Sequence, residues 1–208
     1  MNISSAETWT RLAIALTVSV ASVAHAQTPT PHPNPKSPDF RVQVWGDVVA
    51  RFNTRLRAYA ELRSELEKGL PPLTVTDDPA DIRRAERALA KRIRKARETA
   101  RLGDIFSPDI TDEFRKALRR ETSANTWAVI MDDNPGTFPV RVNGAYPRKQ
   151  PLSSVPSNIL AALPRLPDDV EYRFVGRHLI LLDIRARVIL DRIPYAIESA
   201  QGHTPGQR

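Results

Sequence analysis

The chain has 208 residues, no cysteine, 18 prolines, 8 glycines and a formal net charge of +7, with a pI near 10.1. That length suits one domain with appendages, and the positive balance makes an anionic partner the first expectation. The lack of cysteine excludes a lipoprotein anchor, a disulfide framework and thiolate metal sites. So few glycines argue against a phosphate-cradling loop, and no cofactor is expected.

Residues 1–26 read as a secretory signal peptide. Arg11 precedes the apolar run Leu12–Val23, which is too short to span a bilayer. Ala24-His25-Ala26 places small residues at the positions a signal peptidase reads, so cleavage is expected before Gln27. No second apolar run follows, so the remainder is expected to be soluble and periplasmic or secreted. Residues 27–38 carry Pro at 29, 31, 33, 35 and 38, the pattern of an extended linker.

Ser37-Pro38-Asp39 has the chemistry of a helix start: a hydroxyl cap, proline in the first turn and an acid beside it. Trp45, Val48, Phe52, Leu56, Tyr59, Leu62 and Leu66 then recur at three-and-four spacing, and Lys68-Gly69 predicts the stop. Asp78-Pro79 opens a second helix with Ile82, Ala85, Leu89 and Ile93 on its inner face, expected to run to Leu102-Gly103. The connection is short, so the two helices are expected to form an antiparallel hairpin.

The second helix concentrates the charge. Residues 79–102 hold nine basic side chains against three acidic ones. Arg83, Arg87, Lys91, Arg94 and Arg101 are the candidate anion-binding residues. Lipopolysaccharide, an anionic lipid or another envelope protein is the expected partner, and export argues against intracellular nucleic acid.

Ser107-Pro108-Asp109 starts a third helix with Ile110, Phe114, Ala117 and Leu118 inward. Trp127–Met131 fits a further helical turn ending before Asn134-Pro135. Phe138, Val140 and Val142 then alternate, which makes 138–142 a candidate strand ending in an Asn143-Gly144 turn. A short helix is expected over 156–163. Val170–Phe174, His178–Asp183 and Val188–Asp191 predict a three-stranded antiparallel meander. The expected fold is α+β: the hairpin and third helix pack on the small C-terminal meander within one domain over 39–197, followed by a disordered tail at 198–208.

Other chemistry is sparse. Of the four histidines, 25, 32 and 203 fall in the leader, linker and tail, so only His178 can join an ordered site. A multi-histidine zinc site is not expected. Asp77-Asp78, Asp132-Asp133 and Asp168-Asp169 are paired carboxylates beside prolines, where capping and turn formation account for them. Asp132, Asp133 and His178 form the alternative site, that of an envelope hydrolase using carboxylates. No metal site is expected.

Three runs, Gly103-Asp104-Ile105-Phe106, the DDNPG segment at 132–136 and the YRFVGRHLILLD segment at 172–183, resemble an uncharacterised family of exported bacterial proteins of unknown function. The resemblance extends over most of the chain after the leader. It implies a periplasmic home and names no activity. The meander is also similar to the short C-terminal hairpin of small periplasmic metal-homeostasis proteins, a likeness that carries no residue across.

Overall fold

A computed structural model describes residues 37–70, 78–134, 136 and 138–198. The expected signal peptide, most of the linker and the tail beyond Glu198 lie outside the described residues. The order of elements is α1 (Pro38–Glu67), α2 (Pro79–Ala96), α3 (Pro108–Glu121), α4 (Ala124–Asp132), α5 (Ser157–Ala162), β1 (Val170–Val175), β2 (His178–Asp183) and β3 (Val188–Ile193). The fold is α+β, with the helices first and the sheet last, and no described helix is long and apolar enough to cross a membrane.

α1 and α2 begin where their capping chemistry dictates. The Ser37 side chain accepts the Phe40 N–H at 3.2 Å, and Pro38 is already the first helical residue. Asp78 accepts the Ala80 N–H at 2.7 Å at the start of α2. α1 buries Val48, Phe52, Leu56 and Tyr59 from the face its apolar spacing predicts, and Arg63, which that spacing does not; Trp45, Leu62 and Leu66 are half-buried. Phe52 is the centre of that face: it stacks on Phe106 with ring centroids 5.6 Å apart and meets Phe114 at 4.9 Å. Full burial of such a ring stabilises the fold by about 2–3 kcal/mol, so this aromatic cluster locks α1, α3 and the 105–106 turn together.

α2 turns back along only the end of α1. The Arg92 guanidinium donates to the Leu66 and Lys68 carbonyls, both at 2.9 Å, and Arg97 lies over the Tyr59 ring at 5.5 Å. The hairpin is therefore offset, and the first turns of α2 overhang the end of α1. α2 ends at Ala96, six residues before the expected stop at Leu102. Asn143 Nδ2 donates to the Arg94 and Arg97 carbonyls, each at 2.8 Å, while the Arg97 N–H makes the last helical bond, to Ile93, and the Ala100 N–H closes a short turn onto Arg97. With its last carbonyls satisfied in this way, the helix stops. Arg101 therefore stands beyond the helix, not on it.

The sheet is the expected antiparallel meander in the order β1-β2-β3. Tyr172 pairs with Leu181, and Leu181 with Asp191. A register shift between Leu181 and Leu182 leaves Leu190 as an extra residue in β3. The resulting bulge directs both Leu190 and Asp191 to the helical side. There Asp191, fully buried, accepts the N–H groups of Gly103 (3.2 Å), Ile105 and Phe106 (both 2.8 Å). A carboxylate is a strong acceptor for an otherwise orphaned turn, and it holds the 103–106 segment against the sheet.

One departure from the sequence reading follows from the sheet being covered on both faces. Leu179, Leu181, Val188, Leu190 and Ile193 face the helices, while Val175, Ile180, Leu182 and Ile189 form a second cluster with Val140 and Tyr146. The continuous apolar run of β2 is the mark of a strand buried on both sides. Residues 138–142 are accordingly not a fourth strand. Phe138 and Val140 lie on that second cluster, and the only pairing nearby is an isolated bridge between Ala145 and Val188 among the described residues.

Candidate functional site

The basic face of α2 borders a groove. Its opposite wall is the 143–148 segment together with Ala186 and Arg187 of the β2–β3 turn, which pairs with the middle of that segment. The segment is placed at both ends by α2 itself. Asn143 caps the 94–97 end of the helix, and Arg148 pairs with Glu86 near the other end. Residues 143–148 therefore run alongside α2 in the opposite direction. The space between them is about 760 Å³, within the usual range for ligand pockets.

Six cations line this groove, Arg87, Lys91, Arg94 and Lys95 from α2 with Arg148 and Arg187 from the facing wall, against the carboxylates Glu86 and Glu98. Among the described residues, no ion pair reaches the four cations of α2, all of them exposed. The facing cations are committed elsewhere. Arg148 is paired with Glu86. Arg187 lies over the Tyr146 ring at 5.1 Å and donates to the Pro147 carbonyl at 2.9 Å. Burial, followed by the charge of Arg148, lowers the proton affinity of Arg187. The free positive charge thus lies on the helix, and the facing wall is mostly apolar or backbone: Ala145, Tyr146, Pro147 and Ala186.

Of the five candidate residues, the structure brings Arg87, Lys91 and Arg94 into the groove. Arg83 is exposed on α2 but does not line it. Arg101, past the helix end, is tied through its backbone N–H to Asp104 at 2.9 Å. Two other basic residues of the 79–102 run have structural roles. Arg92 caps α1, and Arg97 donates to the Leu190 carbonyl at 3.0 Å while burial lowers its proton affinity. Lys95, Arg148 and Arg187 were not singled out by sequence reasoning. Lys95 follows Lys91 by one turn and was legible as part of the same stripe. The other two reach the groove only through the folding of distant loops.

The alternative residues are held by different partners. The Asp133 carboxylate accepts both the backbone N–H, at 2.5 Å, and the hydroxyl of Ser154. These bonds, the hydroxyl's first, hold Asp133 below the usual carboxylate range. Asp132 is exposed at the end of α4. His178 Nδ1 accepts the Tyr195 N–H at 3.1 Å, and its ring meets the Tyr195 ring edge-on. Asn134 exchanges two hydrogen bonds with Gly176, at 2.9 and 3.0 Å, so the end of α4 sits by the β1–β2 turn. Among the described residues no hydrogen bond or ion pair joins His178 to Asp132 or Asp133. Asp183, the nearest acid in sequence to His178, is fully buried against α1.

No group of three or more histidine, aspartate or glutamate side chains able to hold a metal ion occurs among the described residues. Comparison with known protein families, characterised proteins and solved structures finds no match to this chain.

Proposed function

We propose that this protein is an exported, non-enzymatic binding module that recognises a polyanion through the groove between α2 and residues 143–148. The observation that carries the reading is the row Arg87, Lys91, Arg94 and Lys95, four exposed cations on one wall of the groove that no ion pair among the described residues reaches. One contact between unit charges 4 Å apart in water contributes only about 1 kcal/mol. A monovalent anion would therefore be held weakly, whereas a ligand meeting three or four of these cations together would be held well. Export rests on the leader-like pattern of residues 1–26 and places the partner in the envelope: lipopolysaccharide, an anionic lipid surface or an acidic protein.

The test is binding of the protein to lipopolysaccharide, anionic phospholipid vesicles and an acidic polypeptide, each at low and high salt. A polyanion neutralising several cations is expected to lose at least about ten-fold in affinity as salt rises from 50 to 200 mM. The double reversal Lys91→Glu and Lys95→Glu is expected to remove binding without unfolding, because both side chains are exposed. Unchanged binding of every anion by that variant would sink the reading.

A further inference from the structure

We propose that the groove's occupant is an extended acidic segment of a partner protein, with carboxylates at alternate positions and its backbone paired to Ala145. The inference rests on the polyanion-binding reading above and names the ligand class. Its first ground is the backbone at the groove wall. Ile189 N donates to the Gly144 carbonyl at 2.9 Å, and Tyr146 N donates to the Arg187 carbonyl at 2.8 Å. These two bonds flank the Ala145–Val188 bridge. In such a pair the opposed residues exchange no bonds with each other. The N–H and C=O of Ala145 are therefore directed away from β3, and Ala145 is exposed and lines the groove. No hydrogen bond among the described residues takes either group. The sheet thus presents a one-residue edge, a donor and an acceptor set for strand addition.

The second ground is spacing. Arg87, Lys91 and Lys95 follow one another at four-residue intervals, about 6 Å apart along the axis. In an extended chain, every second side chain lies on the same face, about 6.6 Å apart. Carboxylates at alternate positions of a bound strand therefore stay in step with the cations over the length of the groove. Between Glu86 and Arg94 the helix advances about 12 Å, which accommodates roughly four extended residues. A flat bilayer matches neither the concavity nor the backbone edge.

The experiment compares blocked synthetic peptides of equal charge by fluorescence anisotropy with the full protein. One has the order Glu-Ser-Glu-Ser-Glu, a second has the order Glu-Glu-Glu-Ser-Ser, and a third is the alternating peptide N-methylated at its central residue. An oligouronate and anionic phospholipid vesicles are the other arms. The alternating peptide is expected to bind about ten-fold tighter than the clustered one. N-methylation is expected to weaken it about five-fold through the lost backbone bond. Equal binding of the alternating and clustered peptides, or insensitivity to N-methylation, overturns the peptide assignment. So does tighter binding of the oligouronate or vesicles, although the polyanion reading would then stand. Failure of every anion to bind overturns both.

Discussion

At the scale of single residues, His178 has a modest and measurable part. Its Nδ1 is an acceptor for the Tyr195 N–H, which requires the neutral ring. Burial first, then the nearby Arg192 and Arg177, lowers its proton affinity below the ordinary value of 6.5. Between the lowered folded value and 6.5 the unfolded chain binds more protons than the folded one. Stability contributed by neutral His178 is therefore present above pH 6.5 and declines as the pH falls through that window. Urea unfolding at a series of pH values is expected to show the decline. His178→Asn keeps an acceptor near the Nδ1 position and cannot be protonated there, so it should flatten the dependence. An unaltered slope in that variant would assign the effect to other groups.

At the scale of elements, the end of α2 is decided by Asn143. It occupies a left-handed conformation, φ 58°, which asparagine tolerates better than most residues. From there its amide reaches the Arg94 and Arg97 carbonyls. Asn143→Gly keeps the backbone freedom and removes both bonds, with an expected loss of about 1–2 kcal/mol. Asn143→Ala removes the bonds and adds a left-handed penalty of about 1 kcal/mol, so it should be the worse of the two. Denaturant midpoints for the pair check the order, and hydrogen exchange in the last turn of α2 should accelerate in both. The same residue anchors one end of the groove wall, so these variants also test how far the wall depends on that cap.

At the scale of the molecule, a buried charge cluster ties α1 to the sheet. Asp183, fully buried at the end of β2, accepts from Tyr59 Oη and Arg63 Nε, both at 2.7 Å, and from the Ala186 N–H at 2.8 Å. Arg63 also pairs with Asp169 at 2.8 Å and Glu67 at 3.1 Å. Burial, then the charge of Asp183, raises the Tyr59 hydroxyl well out of its ordinary range, so it remains a donor at every accessible pH. Asp183→Asn leaves Arg63 with only its outer acids and is expected to cost about 3 kcal/mol. Asp169→Asn, at a partly exposed acid, is expected to cost about 1 kcal/mol or less. Equal losses in urea unfolding would show that burial does not govern the cluster.

Much of the architecture could be read from local patterns. Ser37-Pro38, Asp78-Pro79 and Ser107-Pro108 mark helix starts because such signals act within a few residues; Ser37 and Asp78 cap through their side chains, whereas Ser107 bonds Asp109 and leaves the proline to start the helix. Alternation in 170–174 and the turn residues at 176–177 and 185–186 mark the meander for the same reason. What residues 138–146 do was not legible. Their alternation is that of a strand, yet they serve as a lid on the second face of the sheet. That outcome depends on the unmet apolar surface of Ile180, Leu182 and Ile189, far away in the chain. The candidate binding stripe was legible in part. Helical periodicity alone aligns Arg87, Lys91 and Arg94, because successive turns of one helix share a face. Charge count could not separate them from Arg92 and Arg97, which are taken up by distant carbonyls. Nor could it show that the stripe faces a wall, because the groove exists only where Asn143 and Arg148 fasten a remote loop alongside α2. The sequence by itself determined most of the elements and the location of the positive charge, set by neighbours in the chain, and its composition excludes thiol chemistry. Only the tertiary structure decided which cations remain free, because that depends on the partners folding brings to each of them.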